Sequence, residues 1–259
     1  MDEFRYSVAM KSVIGTREEQ QDCSFFKEND EHIVAVVCDG MGAPEGGKIA
    51  STLVVEKVKD LYEQKDLREP FPLFFTTAVD ILDELVFRLN DKKEKKIYGG
   101  TTIVAVAIEK DSLYWLAVGD SRLYILRNDE MVQITRDHNY FFKIDQQYQE
   151  GEIDENQYLS VADKGQALIS FIGMGGIQLI DINHKPFKLY PKDTILLTTD
   201  GLYKALSDDE ISQCLQTENT KEAMEALFSK AKERAYKAQD NTTCIVIKYE
   251  EVKDETDKM

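Results

Sequence analysis

Ile33-Val34-Ala35-Val36-Val37-Cys38-Asp39-Gly40-Met41-Gly42 decides how this chain folds. Its first six residues are an apolar, β-branched run of strand length. From about Gly46 the apolar positions take helical spacing, at Ala50, Val54, Val58 and Leu61. A strand, a glycine turn and a helix therefore follow in order. The Asp39 carboxylate sits where the buried strand ends, beside glycines that let backbone carbonyls approach an ion. One Asp-Gly alone is an ordinary turn. The pattern gains weight because it recurs at Asp200-Gly201, again after an apolar run, Ile195 to Thr199.

Outward from this stretch, Tyr6–Ile14 reads as an opening strand and residues 23–38 as a hairpin turning at Asn29-Asp30. The helix after the glycines runs to about Gln64. Pro70 and Pro72 start a second helix with Phe75, Val79, Leu82, Leu85, Val86 and Leu89 on its apolar face. Three runs, 101–108, 113–118 and 122–127, joined at Asp111-Ser112 and Gly119-Asp120-Ser121, read as an antiparallel meander. Residues 136–165 are polar and aromatic with a weak helix at each end, an expected flap over a sheet edge. Strands at 177–182, 187–189 and 195–199, helices at 208–215 and 221–237, and a last strand at 242–249 complete the order. Hairpins dominate and helices come in pairs. The expected fold is therefore α+β, a β-sandwich of two mostly antiparallel sheets flanked by pairs of α-helices. One domain over residues 1–249 is expected, with a charged, frayed tail at 250–259.

With 32 basic against 48 acidic residues in 259, the formal charge is −16, which disfavours nucleic acid and anionic membranes as partners. No apolar run approaches the ~18 residues of a membrane helix, and the N-terminus does not read as a signal peptide. Cys23, Cys38, Cys214 and Cys244 lack CxxC spacing, and Cys38 and Cys244 lie within apolar strands. A reducing, cytoplasmic compartment is expected. The three histidines, His32, His138 and His184, are too far apart in sequence for a histidine-rich zinc site.

Asp22, Asp39, Asp120, Asp200 and Asp240 all fall at or beside strand ends. Carboxylates gathered without basic partners repel, and divalent cations offset that repulsion. Oxygen donors without thiolates point to Mg²⁺ or Mn²⁺ and to metal-assisted phosphoryl hydrolysis, with Arg17 as a bidentate phosphate clamp. Structural turn aspartates are the competing reading, since spacing alone does not make these ends converge.

Six pieces also carry a family resemblance: Arg17-x4-Asp22, Val37-Cys38-Asp39-Gly40-Met41-Gly42, Gly99-Gly100-Thr101-Thr102, Val118-Gly119-Asp120-Ser121-Arg122, Thr198-Thr199-Asp200-Gly201-Leu202 and Asp240-Asn241-Thr242-Thr243. In this order, over residues 6–249, the chain resembles the bacterial branch of the metal-dependent protein serine/threonine phosphatases, the type 2C (PPM) family. The resemblance implies hydrolysis of phosphoserine and phosphothreonine on proteins by water that two metal ions activate. It implies that Asp39 bridges the two ions, that the Gly40 carbonyl binds the second, and that Asp200 and Asp240 complete the first. Asp120 with Asp200 would hold a third ion, Asp22 would order metal-bound water, and Arg17 would grip the phosphate. Phosphorylated proteins and an opposing serine/threonine kinase are the implied counterparts.

Two departures stand out. Gln21 occupies a position where the family usually has Glu, which removes a negative charge beside the metals. Met41 stands where animal members carry a His proposed as general acid, as it does in bacterial members. Gln21 is the feature that favours the rival reading, a catalytically silent member acting as a regulatory or binding module.

Other readings fail on chemistry. Gly42-Ala43-Pro44-Glu45-Gly46-Gly47-Lys48 resembles a nucleotide P-loop, but Ile49 replaces the hydroxyl that would hold Mg²⁺. Gly173-Met174-Gly175-Gly176 lacks dinucleotide spacing. Ser121 with His138 has no GxSxG elbow, and His138 reads as a surface or capping residue.

Overall fold

Strand β3 (His32–Gly42) is covered on both faces, which is why its sequence is a continuous apolar run rather than an alternating one. Ile33, Ala35 and Val37 point into one buried cluster, and Val34, Val36 and Cys38 into another. The computed structural model describes residues 5–29, 32–42, 45–66, 68–90, 94–161, 165–217, 219–235 and 238–250. The expected tail from 251 on, the tip of the 23–38 hairpin at 30–31 and the end of the last helix at 236–237 lie outside these residues.

β3 lies in a sheet with β2 (Asp22–Glu28), β5 (Ile103–Glu109), β6 (Ser112–Val118) and β10 (Phe187–Lys188), in the order β10-β6-β5-β3-β2. Two short strands extend it: β4 (Gly99–Thr101) pairs with the end of β3, and β9 (Asp181–Ile182) with β6. The second sheet contains β1 (Arg5–Val13), β7 (Arg122–Arg127), β8 (Glu130–Gln133), β11 (Thr194–Thr198) and β12 (Thr242–Glu250), in the order β1-β12-β11-β7-β8. Every strand pair is antiparallel.

Between the sheets, Val37, Val106, Leu123, Ile195 and Ile247 share one apolar layer. Helices α1 (Gly46–Gln64) and α2 (Phe71–Phe87) cover the outer face of the β3 sheet through Val54, Val58, Phe75 and Leu82. Helices α6 (Asp208–Leu215) and α7 (Thr220–Arg234) cover the other sheet through Ile211, Leu215, Met224 and Leu227. Each fully buried Val, Leu or Ile contributes about 1.5–3 kcal/mol, so three stacked apolar layers fix the strand ends firmly. The expected sandwich flanked by helix pairs is the observed architecture. Two short helices, α3 (Tyr140–Gln149) and α4 (Glu155–Ser160), occupy the expected flap segment.

The three-strand meander is not formed. β7 pairs with β11 and β8 and not with β6, so Gly119-Asp120-Ser121 carries the chain from one sheet to the other. Gly119 has φ +104°, and a Cβ there would lie 2.6 Å from the Thr102 methyl. A tight crossing and a hairpin turn carry the same Gly-Asp signature, which is why the sequence reads as a hairpin. The strand expected at 177–182 shrinks to β9. Leu179 donates its N–H to Ser170 Oγ and accepts from the same hydroxyl, so its backbone groups are taken by a side chain instead of a neighbouring strand.

Gly173-Met174-Gly175-Gly176 has a structural use. The N–H groups of Gly173, Gly175 and Gly176 all donate to the buried Asp83 carboxylate on α2, at 2.7, 3.2 and 2.7 Å. Replacing Asp83 by Ala strands three donors at once. Asp83→Ala should therefore destabilise the fold by about 3 kcal/mol, read as a lowered midpoint in urea denaturation, with Asp83→Asn in between.

Candidate active site

The strand ends that carry the aspartates meet at one rim of the sandwich. β2 and β3 pair in a register that sets Asp22 directly opposite Asp39. Asp120 enters on the crossing between the sheets, Asp200 opens the short helix α5 (Asp200–Tyr203) after β11, and Asp240 precedes β12. Together with Arg17, Gln21, Gly40 and Met41, the carboxylates of Asp39, Asp120, Asp200 and Asp240 line a cleft of about 820 Å³. Asp22 lies behind them, only 8% exposed.

Backbone clamps hold these positions. The Asp39 N–H donates to Thr102 Oγ1 at 3.0 Å, while the Thr101 hydroxyl and the Thr102 N–H both donate to the Asp39 carbonyl. This is the work of the Gly99-Gly100-Thr101-Thr102 motif. Gly40 must be glycine, since a Cβ there would stand 2.2 Å from the Gly47 carbonyl oxygen at the start of α1. Asn241 is a strut at the other end of the chain. Its amide donates to the Ile14 and Glu19 carbonyls, and its side-chain oxygen accepts from the Gln21 N–H. The Tyr203 hydroxyl donates to the Asp120 carbonyl at 2.9 Å, and the Arg122 guanidinium lies 3.5 Å over the Tyr203 ring.

Crowding is written into the acidities. Burial, then the neighbouring Asp200 and Asp240 charges, push the Asp22 carboxyl up to about 7 despite hydrogen bonds from Thr243 and Thr199 that favour its charged form. Asp120 rises to about 6, through burial and then Asp200. Asp39 is raised well above the ordinary carboxylate range by burial and by Asp200, Asp22, Asp120 and Asp240. Asp22 Oδ2 accepts from the Thr199 hydroxyl at 2.9 Å, yet its buried Oδ1 has no hydrogen-bond partner. A buried orphan carboxylate oxygen among all-oxygen donors fits hard divalent cations such as Mg²⁺ or Mn²⁺. Among the described residues no three acidic, thiol or imidazole groups are drawn together as a finished metal cage. Two basic side chains stand among the aspartates instead: Lys204 pairs with Asp200, and Arg17 with Asp240 at 2.7 Å.

All the residues singled out from the sequence therefore gather at this rim, and several partners were not foreseen. Lys204, at i,i+4 from Asp200, is held above its ordinary range. Burial opposes its charge, but Asp200, Asp120 and Asp39 outweigh burial. The spacing could have pointed to it. Gln21 donates from its amide to Glu19 at 3.2 Å, so a carboxylate stands next to the neutral side chain. Nothing in the local sequence signals this pair.

His138 is not on the surface; it is fully buried. Its N–H donates to the Gly119 carbonyl and its Nδ1 accepts from the Gly119 N–H, so one residue grips the backbone beside Asp120 from both sides. Its Nε2 lies 3.5 Å from Asp181, which also takes the Arg136 guanidinium. Burial works against the Asp181 charge, but the nearby His138 imidazole and the Arg136 hydrogen bonds outweigh it and hold its carboxyl below the usual range. A short polar stretch gave no burial signal, because the burial comes from the crossing that the sequence misread.

The protein phosphatase 2C family model matches residues 11–239. The chain is 28% identical over 228 residues to a serine/threonine phosphatase of Listeria innocua, covering 86% of each. A serine/threonine phosphatase of S. agalactiae superposes with a TM-score of 0.80 at 24% identity, over 95% of this chain and all of that one. The catalytic domain of the phosphatase PstP, whose crystal structure holds two manganese ions, superposes with a TM-score of 0.70 at 22% identity, over 95% of this chain and 99% of that one. With the family model matching residues 11–239, most of the sandwich, the chain belongs to the protein phosphatase 2C family.

Proposed function

We propose that this protein serine/threonine phosphatase hydrolyses phosphoserine and phosphothreonine in the cleft between Asp39, Asp120, Asp200 and Asp240. The observation that carries the reading is the convergence of five strand-end aspartates, one with an orphaned buried oxygen, at a cleft with Arg17 beside it. In this reading Asp39, the Gly40 carbonyl, Asp200 and Asp240 hold two core ions of Mn²⁺ or Mg²⁺. Asp22 orders water from behind, and Asp120 with Asp200 serves a third ion. Bound metal would neutralise the carboxylates and supply activated water. The two manganese ions of PstP support the choice of metal.

The chain's own groups do the rest. Arg17, with its side chain 62% exposed, is placed to exchange Asp240 for two oxygens of an incoming phosphate. Lys204, paired with Asp200, would yield that carboxylate to a bound cation. Gln21 contributes polarity without charge. The residue 136–165 flap returns to the cleft through Gln166 and Leu168, which form part of its wall. We assign residues 1–249 to one phosphatase domain.

Among the described residues no helix is long and apolar enough to cross a membrane. The four cysteines are unpaired thiols, three of them buried, as suits a reducing cytoplasm. An opposing kinase is the counterpart that a protein phosphatase requires. Gln21 leaves one second reading, a regulatory member with little turnover.

Turnover of an aryl phosphate and a phosphothreonine peptide with Mn²⁺ tests the proposal. Chelator should abolish it, and Asp39→Asn should lower kcat on the order of a thousandfold. Arg17→Ala should raise KM roughly tenfold with a smaller change in kcat. A folded protein with no turnover at any Mn²⁺ concentration would leave the regulatory reading.

The acidities predict a second, independent signature. Between pH about 4 and about 7, folded Asp22 and Asp120 hold protons that the unfolded chain has released. Metal-free protein should therefore lose stability as pH rises through this window. Thermal melts in chelator should show that slope, Asp22→Asn should flatten it, and Mn²⁺ should raise Tm more at pH 8 than at pH 5.

A further inference from the structure

Met41 and Gly42, the last residues of β3, have a cavity on each side. One is the carboxylate cleft; the other is a second cavity of about 250 Å³. Val86 and Phe87 at the end of α2, Ile97 and Tyr98 before β4, and Phe171 wall the second cavity. We propose that it is a substrate subsite, which takes one large apolar side chain of the phosphoprotein near the residue being dephosphorylated. This rests on the phosphatase reading and adds a determinant of which sequences the enzyme prefers.

Three observations carry the proposal. First, the walls are apolar and their rings face solvent: Tyr98 is 70% and Phe87 41% exposed. Single exposed aromatics need no explanation, but here two line the same cavity. The Lys96 ammonium stands at the rim, 4.0 Å from the Phe87 ring centre and 5.7 Å from that of Tyr98.

Second, the floor is preformed by close backbone. Gly42 has φ +128°, and a Cβ there would meet the Tyr98 carbonyl at 2.7 Å. A Cβ on Gly100 would fall 2.6 Å from the Phe171 ring, and one on Gly173 would fall 2.4 Å from Val86. A cavity that is already shaped asks for little ordering when a side chain enters.

Third, the occupant follows from continuity. A polypeptide with its phosphate among the aspartates has the Met41–Gly42 ridge immediately beside it. Both cavities share Met41 and Gly42, so a side chain that drops over the ridge belongs to a residue close in sequence to the phosphorylated one.

Phosphothreonine peptides scanned with Gly, Asp, Leu and Phe at the three positions on either side, compared by kcat/KM in Mn²⁺, test this. At one of these positions, Leu or Phe should exceed Gly roughly tenfold. Tyr98→Ser and Phe87→Ser, both at exposed positions, should shrink that ratio to within about twofold while aryl-phosphate turnover stays near wild type. Equal rates at every position, or a preference untouched by both variants, would overturn the subsite. Absence of aryl-phosphate turnover in the wild type would instead remove the phosphatase reading, and the subsite with it.

Discussion

Carboxylates forced together away from bulk water repel one another, and the architecture around this cleft exists to hold them there regardless. Asp39 is kept in place by a strand buried on both faces, by two threonines bonded to its backbone, and by a glycine pressed on the start of α1. Asp22 is fixed by β-register, Asp120 by a buried histidine and a tyrosine, and Asp240 by its neighbouring asparagine strut. These supports act through packing, register and hydrogen bonds. Lys204 and Arg17 add positive charge on long, flexible side chains. Rigid acid with flexible base is an arrangement that a divalent cation can enter without refolding anything.

Much of the fold was legible because the decisive elements obey simple periodicities. The doubly buried β3 declared itself through an unbroken apolar run, and α1, α2, α6 and α7 through helical spacing. The site aspartates were legible as strand-end residues followed by turn formers. Their convergence was not, because it depends on which strands pair. Gly119-Asp120-Ser121 shows the limit plainly: a local reading makes it a hairpin, whereas the sheets place it as a crossing. His138 was misplaced for the same reason, since only that crossing buries it.

Glycines fall into two kinds here. Gly40, Gly47, Gly99 and Gly100 let backbone approach backbone or ring at the rim, so they are tied to the cleft and the cavity beside it. The Gly173–Gly176 run instead offers N–H groups to one carboxylate on α2. Both kinds look alike in sequence. What separates them is whether a carboxylate elsewhere in the chain is left without other donors.

The strut at Asn241 joins parts of the chain more than two hundred residues apart, and β1 pairs along its whole length with β12. Such contacts cannot form until the far end of the chain exists, and closing loops of that length is slow. During synthesis the ribosome must therefore deliver residues 240–250 before Asp22, Arg17 and Gln21 can be locked against their partners. A chain that stops short of residue 240 carries four of the five aspartates but lacks Asp240, the Asn241 strut and β12, so the acquisition of activity reports that translation has passed through that strand.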